Sequence, residues 1–163
     1  MLDVGGGDSR LVDYLLSRNV SCISVLDISA AALARARTRL GSAHEQVSWI
    51  EADVMDEWPV PPVNIWHDRA VFHFLTDADD RARYRERLGE GLLPGGSLII
   101  ATFGPDGPER CSGLPTIRYS PETLAAEFGA SFRLEESIRE SHATPFGTTQ
   151  EFWYSRFTRS DVS

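Results

Sequence analysis

The stretch Leu2-Asp3-Val4-Gly5-Gly6-Gly7-Asp8-Ser9 sets an apolar strand end and an acid ahead of three consecutive glycines, and a helical pattern follows at once. Glycine reaches positive φ without steric cost and lets a ligand come close to the backbone. Taken alone, such a turn serves plain chain reversal as readily as ligand binding. The dinucleotide fingerprint G-x-G-x-x-G is not met, because Arg10 stands where its last glycine would fall.

Outward from this turn the pattern alternates between short apolar runs and stretches of 3.6-residue period, with no internal repeat. Strands are expected at Leu2–Val4, 22–27, Val47–Glu51, 63–68 and 97–103, nearly continuous in apolar character, as in a sheet covered on both faces. A first helix is expected over 9–18. A second is capped by Ser29 and stopped by Gly41, and a third opens at Asp77 and runs to Leu93, before the turn Pro94-Gly95-Gly96. Ser120-Pro121 opens a short fourth helix. Two longer alternating runs, 132–141 and 150–157, predict an antiparallel pair at the sheet edge. Repeated βα units imply right-handed crossovers and a doubly wound α/β sheet, whose ligand lies beyond the carboxyl ends of the strands.

Composition narrows the function classes. A chain of 163 residues suits one domain spanning 1–163. No apolar run reaches the roughly 18 residues of a membrane span, so no membrane partner is expected. The net charge of -8 opposes polyphosphate, so nucleic acid is a poor partner. All sixteen basic residues are arginine, which removes the lysine of a P-loop and of a pyridoxal Schiff base. Cys22 and Cys111 lack CxxC spacing and no secretory leader is seen, pointing to the cytoplasm. The four histidines and two cysteines show no metal-ligand spacing, and no metal is expected. Acids interleave with Arg81, Arg83, Arg85 and Arg87, as on a solvated helix face. Pro61-Pro62 reads as a loop.

The chemistry resides in the acids. Asp3, Asp27 and Asp53 stand at the carboxyl ends of three successive strands, Asp53 just after the third. A nicotinamide dinucleotide needs one acid for its ribose, whereas a ligand with an ammonium and an adenosine uses several. Asp27 suits both ribose hydroxyls, Asp53 the adenine amino group with Val54 beside it, and Ile28 the face of the ring.

These segments, Leu2-Asp3-Val4-Gly5-Gly6-Gly7, Val25-Leu26-Asp27-Ile28-Ser29, Glu51-Ala52-Asp53-Val54 and Leu93-Pro94-Gly95-Gly96-Ser97, resemble the ordered motifs of class I S-adenosylmethionine-dependent methyltransferases. The resemblance spans the chain, with Ser9 in place of a third small residue that is usually glycine. It implies S-adenosylmethionine as cofactor and a Rossmann-like seven-stranded sheet, mostly parallel, with an antiparallel last strand. A narrower resemblance rests on Trp66-His67-Asp68-Arg69-Ala70-Val71-Phe72-His73-Phe74-Leu75, on Cys111-Ser112-Gly113-Leu114-Pro115, and on His142-Ala143-Thr144-Pro145-Phe146-Gly147. It is similar to bacterial relatives of the lysine methyltransferases of citrate synthase and elongation factor 1-alpha. Thiopurine-type enzymes share part of the Asp-Arg-Ala pattern, so the acceptor, a small molecule or a protein side chain, stays open.

Methyl transfer is an in-line displacement, in which holding the acceptor in place supplies much of the rate. Cofactor binding is assigned to Asp3, Gly5, Gly6, Gly7, Asp27, Ile28, Asp53, Val54 and Asp68. His67 is the candidate proton acceptor, Asp68 the group that orients or neutralises an ammonium, and His142 with Tyr154 lines the acceptor pocket. The plainer readings are an Arg69–Asp68 ion pair and a partly buried His73. Met1 falls inside the first strand, so a preceding segment that covers the cofactor is expected to be missing. A non-catalytic cofactor-binding module and a nucleotide-dependent oxidoreductase are the rival functions.

Overall fold

The computed structural model describes all residues except 59–60, 144–148 and 161–163, and of residues 142, 143 and 149 the backbone alone. The strands are β1 (Leu2–Val4), β2 (Ile23–Asp27), β3 (Val47–Glu51), β4 (Val63–Arg69), β5 (Leu92–Phe103), β6 (Arg110–Cys111), β7 (Leu114–Pro115), β8 (Phe132–Ala143) and β9 (Thr149–Arg159). The α-helices are α1 (Leu11–Ser17), α2 (Ala30–Leu40), α3 (Ala78–Gly91) and α4 (Pro121–Phe128).

Seven strands make one sheet in the order β3-β2-β1-β4-β5-β9-β8. The five from β3 to β5 run parallel, and β9 is inserted antiparallel between β5 and β8. This is the expected Rossmann-like doubly wound sheet with its reversed last strand. The chain winds outward from β1 through β2 to β3, then crosses back to β4 on the other side of β1. A crevice therefore opens between the carboxyl ends of β1 and β4, where loops leave in opposite directions.

Local chemistry accounts for the helix boundaries. Ser29 caps α2 by accepting from the Ala32 N–H at 3.2 Å, and Gly41, at φ 56°, ends it. Asp77 caps α3 through the Asp79 N–H. Ser120 and Thr123 form a reciprocal capping box with Pro121 in the first turn of α4.

Beyond shifts of one or two residues at strand ends, three differences from expectation have a local cause. The first helix starts at Leu11, because the Ser9 hydroxyl takes the Leu11 N–H and holds residue 9 in the turn. The third helix stops at Gly91, short of Leu93. Leu92 already pairs with Val63, and the next pair is Ile65 with Ser97, so Pro94-Gly95-Gly96 bulges from the β4–β5 ladder and β5 starts ahead of residue 97. Gly95 holds φ 71° in that bulge, a left-handed conformation that glycine adopts without strain. The third difference is β6 and β7, a small hairpin turning on Ser112 and Gly113, both at positive φ.

The main core lies between one face of the sheet and helices α3 and α4, with Trp66, Phe72, Tyr84, Leu88 and Phe157 fully buried. Each such side chain contributes roughly 1.5–3 kcal/mol. A smaller cluster of Val12, Ile23, Val25, Leu33 and Val47 packs β2 and β3 against α1 and α2. No described helix is long and apolar enough to cross a membrane.

Candidate functional site

The turn after β1 is built on carboxylates. Gly5 lies at φ 68°, and a Cβ there would meet Val71 Cγ2 at 2.3 Å. A Cβ on Gly6 would lie 2.4 Å from Asp3 Oδ2, and one on Gly7 would lie 2.5 Å from Asp27 Oδ2. All three glycines are thus demanded by close approach, and Gly5 by its conformation as well. Gly5→Ala is expected to cost about 2–4 kcal/mol in urea unfolding, the left-handed penalty and the overpacking penalty together.

Asp27 ends β2 with both oxygens oriented. Oδ2 accepts from the Gly7 N–H at 2.9 Å and Oδ1 from the Ser29 N–H at 2.8 Å. Each carboxylate oxygen retains a second lone pair for a ligand. Asp53 is fixed by the Met55 N–H at 3.0 Å. Asp3 and His67 are direct partners in the β1–β4 register, on one face of the sheet, and His67 Nδ1 lies 2.7 Å from Asp3 Oδ1. Asp3 Oδ2 is buried and has no hydrogen-bond partner among the described residues.

Two cavities meet here. The larger, about 490 Å³, lies over the carboxyl ends of β1 to β4, with Asp27 and Asp53 among its polar walls and Ile28, Val54, Met55, Val71, Phe74 and Leu75 among the apolar ones. Ile28 is 72% exposed and Leu114, from β7, 57%, so two of the most exposed apolar residues line the same hollow. The smaller, about 380 Å³, reaches from Asp3, Gly6, Asp8 and Ser9 toward Gln150 and Phe152 of β9. Gly5, Arg69 and Ala70 line both. Arg39 braces the floor by donating to the Ser9 carbonyl and to Asp8 and Asp13; the hydrogen bond from Arg35 holds the Asp8 carboxyl, and that from Arg39 the Asp13 carboxyl, below the usual range.

The expected set is therefore brought together at Asp3, Gly5, Gly6, Gly7, Asp27, Ile28, Asp53 and Val54. Asp68 goes elsewhere. Alternation along β4 points it, with Trp66, to the face covered by α3, and it has no exposed surface and lines neither cavity. Its Oδ1 accepts from the Val71 N–H at 2.9 Å and its Oδ2 from the Tyr84 hydroxyl at 2.7 Å, while Trp66 Nε1 donates to Tyr84 at 3.0 Å. Burial pushes Asp68 up to about 6, and raises the Tyr84 hydroxyl well above its ordinary value. This arrangement replaces the expected ammonium contact of Asp68 and the expected Arg69–Asp68 ion pair, since the carboxylate is consumed by the backbone turn and by Tyr84.

His67 lines neither cavity, its Nδ1 being engaged with Asp3. His142 pairs with Gln150 in the β8–β9 ladder, and its side chain falls outside the described residues, as does the turn 144–148. Tyr154 is half-buried and packs against the cluster of Ala101, Phe103 and Phe152. His73 is fully buried rather than partly so, stacked on Phe103 at 4.5 Å, and burial lowers it to about 4.

That value lies below the roughly 6.5 of an unfolded histidine, so the contribution of neutral His73 is complete above pH 6.5 and is lost as the pH falls toward 4. The loss amounts to about 3 kcal/mol. His73→Phe is expected to remove that acid-side slope, checked by urea unfolding at pH 4.5 and 7.

The cavity walls Met55, Phe74, Leu75 and Leu114 were not among the expected site residues. Phe74, Leu75 and Leu114 fall within the stretches that carry the narrower resemblance, without a role assigned there, and nothing local marks Met55.

A doubly wound sheet with a reversed last strand, and a glycine turn and acids at the crevice, define the Rossmann-like methyltransferase class. Residues 2–98 match the family described as "Methyltransferase domain". The chain belongs to that family, the class I S-adenosylmethionine-dependent methyltransferases, whose methyl donor is S-adenosylmethionine.

An uncharacterized methyltransferase of Mycobacterium tuberculosis is 35% identical over 104 residues, 63% of this chain and 50% of that protein. The trans-aconitate 2-methyltransferase of Methylobacterium nodulans is 30% identical across 98% of this chain and 61% of its own length. The chain thus spans about half the length of the first curated relatives it matches. Among solved structures, N-methyltransferase NodS from Bradyrhizobium japonicum superposes with a TM-score of 0.77 at 16% identity, covering 98% of this chain and 85% of that one. The 1,6-didemethyltoxoflavin-N1-methyltransferase of Burkholderia thailandensis gives 0.76 at 22% identity, covering 98% and 70%.

Proposed function

We propose that this chain, as one domain over residues 1–163, transfers the methyl group of S-adenosylmethionine to a small-molecule acceptor. The observation that carries the reading is the cavity of about 490 Å³ at the carboxyl ends of β1 to β4, with Asp27 and Asp53 in its wall and uncovered apolar residues beside them. Asp27 would hold the ribose hydroxyls, Asp53 the adenine amino group beside Val54, and Ile28 would cover a ring face. The buried Asp3 Oδ2, without a partner among the described residues, fits the donor's ammonium, and the glycine turn admits its chain.

When bound, S-adenosylmethionine supplies a methyl group already activated on a sulfonium. The remaining work of the protein is to orient the acceptor and exclude water, and positioning of this kind is worth on the order of 7–11 kcal/mol. The mostly apolar wall favours exclusion of water. His67 acts here as a positioning residue that fixes Asp3, not as the proton acceptor expected from sequence. His67→Ala is accordingly expected to weaken binding of S-adenosylhomocysteine about tenfold by calorimetry, and to leave kcat at saturating donor nearly unchanged.

A small acceptor is favoured because relatives named for small-molecule reactions cover nearly all of this chain at the level of sequence or of fold. The net charge of -8 disfavours nucleic acid as partner. Cys22 and Cys111 are free, in keeping with a reducing, cytoplasmic compartment. The test is transfer of labelled methyl from S-adenosylmethionine to a panel that includes trans-aconitate, other organic acids, amines and a lysine-rich protein. Label in a small molecule supports the reading. Label in the protein alone would replace it with protein methylation, and label in none of them would contradict it.

A further inference from the structure

The point where the two cavities meet carries a charged side chain that the donor-binding reading leaves unused. Arg69 is the last residue of β4 and is exposed. Its alternation with His67 sets it on the face shared with Asp3. The chain turns sharply just after it: Ala70 sits at φ 66°, a left-handed conformation that a non-glycine residue holds at a cost. The turn is secured because the Ala70 N–H donates to the Ala101 carbonyl and the Val71 N–H to the buried Asp68. The strand therefore ends abruptly, with Arg69 at the rim of both hollows.

Two carboxylates share the smaller cavity with it. Among the groups lining the smaller cavity, Asp8 is paired with Arg35 and Arg39, and Asp3 is bonded by His67. Arg69 has no acidic partner among the described residues, whereas Arg81 and Arg85 share Glu127 and Arg156 takes Glu136. A guanidinium always carries its charge and presents a planar fork that suits a carboxylate bidentately. The smaller cavity runs from Arg69 toward Gln150 and Phe152 of β9, away from Asp27 and Asp53.

We infer that Arg69 is the anchor for a carboxylate group of the methyl acceptor, which enters from the β9 side, so that the acceptor is a small organic anion. The inference rests on the donor-binding reading above. The donor has a carboxylate of its own, and the experiment separates the two sources.

Wild type, Arg69→Met and Arg69→Lys are first titrated with S-adenosylhomocysteine, and the loaded proteins then with fumarate, succinate, citrate and the corresponding methyl esters. Loaded wild type is expected to bind at least one of the acids and not its ester. Arg69→Met is expected to lose about 10- to 100-fold in that second affinity, with Arg69→Lys in between and S-adenosylhomocysteine affinity within threefold of wild type. In wild type, phenylglyoxal labelling of Arg69 is expected to be blocked by the acid and not by S-adenosylhomocysteine alone.

A fall of tenfold or more in S-adenosylhomocysteine affinity in Arg69→Met, or protection by S-adenosylhomocysteine alone, would assign Arg69 to the donor's carboxylate and overturn the inference. So would acids that bind no better than their esters. If wild type takes up no S-adenosylhomocysteine, the donor-binding reading itself has failed, and the inference falls with it.

Discussion

Asp27→Ala is expected to weaken S-adenosylhomocysteine binding by at least about 100-fold, because two hydrogen bonds to a charged acceptor are each worth roughly one to two decades of affinity. The loss has a second source. The same carboxylate fixes the Gly7 and Ser29 N–H groups, so its removal loosens the glycine turn and the start of α2 together. Asp27→Asn separates these effects, since its single oxygen keeps one backbone contact while the charge is gone. An affinity between those of wild type and alanine is expected for it. Calorimetry reads the binding, and urea unfolding shows how much of the change is structural. Unchanged binding in Asp27→Ala would remove Asp27 from the site.

Asp68→Ala is expected to have the largest effect on stability. The substitution strips the Val71 N–H and the Tyr84 hydroxyl of their acceptor inside the core, and each buried unsatisfied group costs about 1–3 kcal/mol. The cost depends on pH in a defined direction. Burial pushes Asp68 up to about 6, above the roughly 3.9 of an unfolded aspartate, so the native state holds the proton more tightly. Its stabilising share is full below about pH 4 and shrinks by about 3 kcal/mol as the pH rises through 6. The deficit of Asp68→Ala relative to wild type is therefore greatest at pH 4 and smallest above pH 7. Asp68→Asn keeps an acceptor for Val71 and carries no titrating proton, so its stability relative to wild type should improve as the pH rises. Urea unfolding at pH 4.5, 6 and 7.5 measures both variants. A deficit of Asp68→Ala that grows with pH would contradict the buried-acid account.

What could be read from sequence was what local rules govern. The turn at Gly5 to Gly7, the acid at the end of β2 and the caps Ser29, Asp77 and Ser120 each depend on a few neighbouring residues, and the fold class followed from their alternation. The Asp3–His67 contact was hidden, because the register of β1 against β4 decides it and the two residues lie far apart in the chain. The destination of Asp68 was hidden for a related reason. The polar run His67-Asp68-Arg69 reads as one cluster in sequence, but a strand sends alternate residues to opposite faces. Asp68 then meets Tyr84 of α3, which no motif announces. The start of β5 was misplaced because Pro94-Gly95-Gly96 carries the usual marks of a connecting turn. Those marks also suit a bulge, and the pairing of Leu92 with Val63 decides between them. The apolar side of the larger cavity escaped because Met55, in the loop after β3, and Leu114, in β7, are brought together only by the folded chain.

The most direct test of the central claim is a calorimetric titration of this chain with S-adenosylhomocysteine, with NAD as the control ligand. One-to-one binding of S-adenosylhomocysteine, absent for NAD, is the result that the glycine turn, Asp27 and Asp53 predict. Binding of NAD in its place, or of neither ligand, would contradict the claim that this crevice holds the methyl donor.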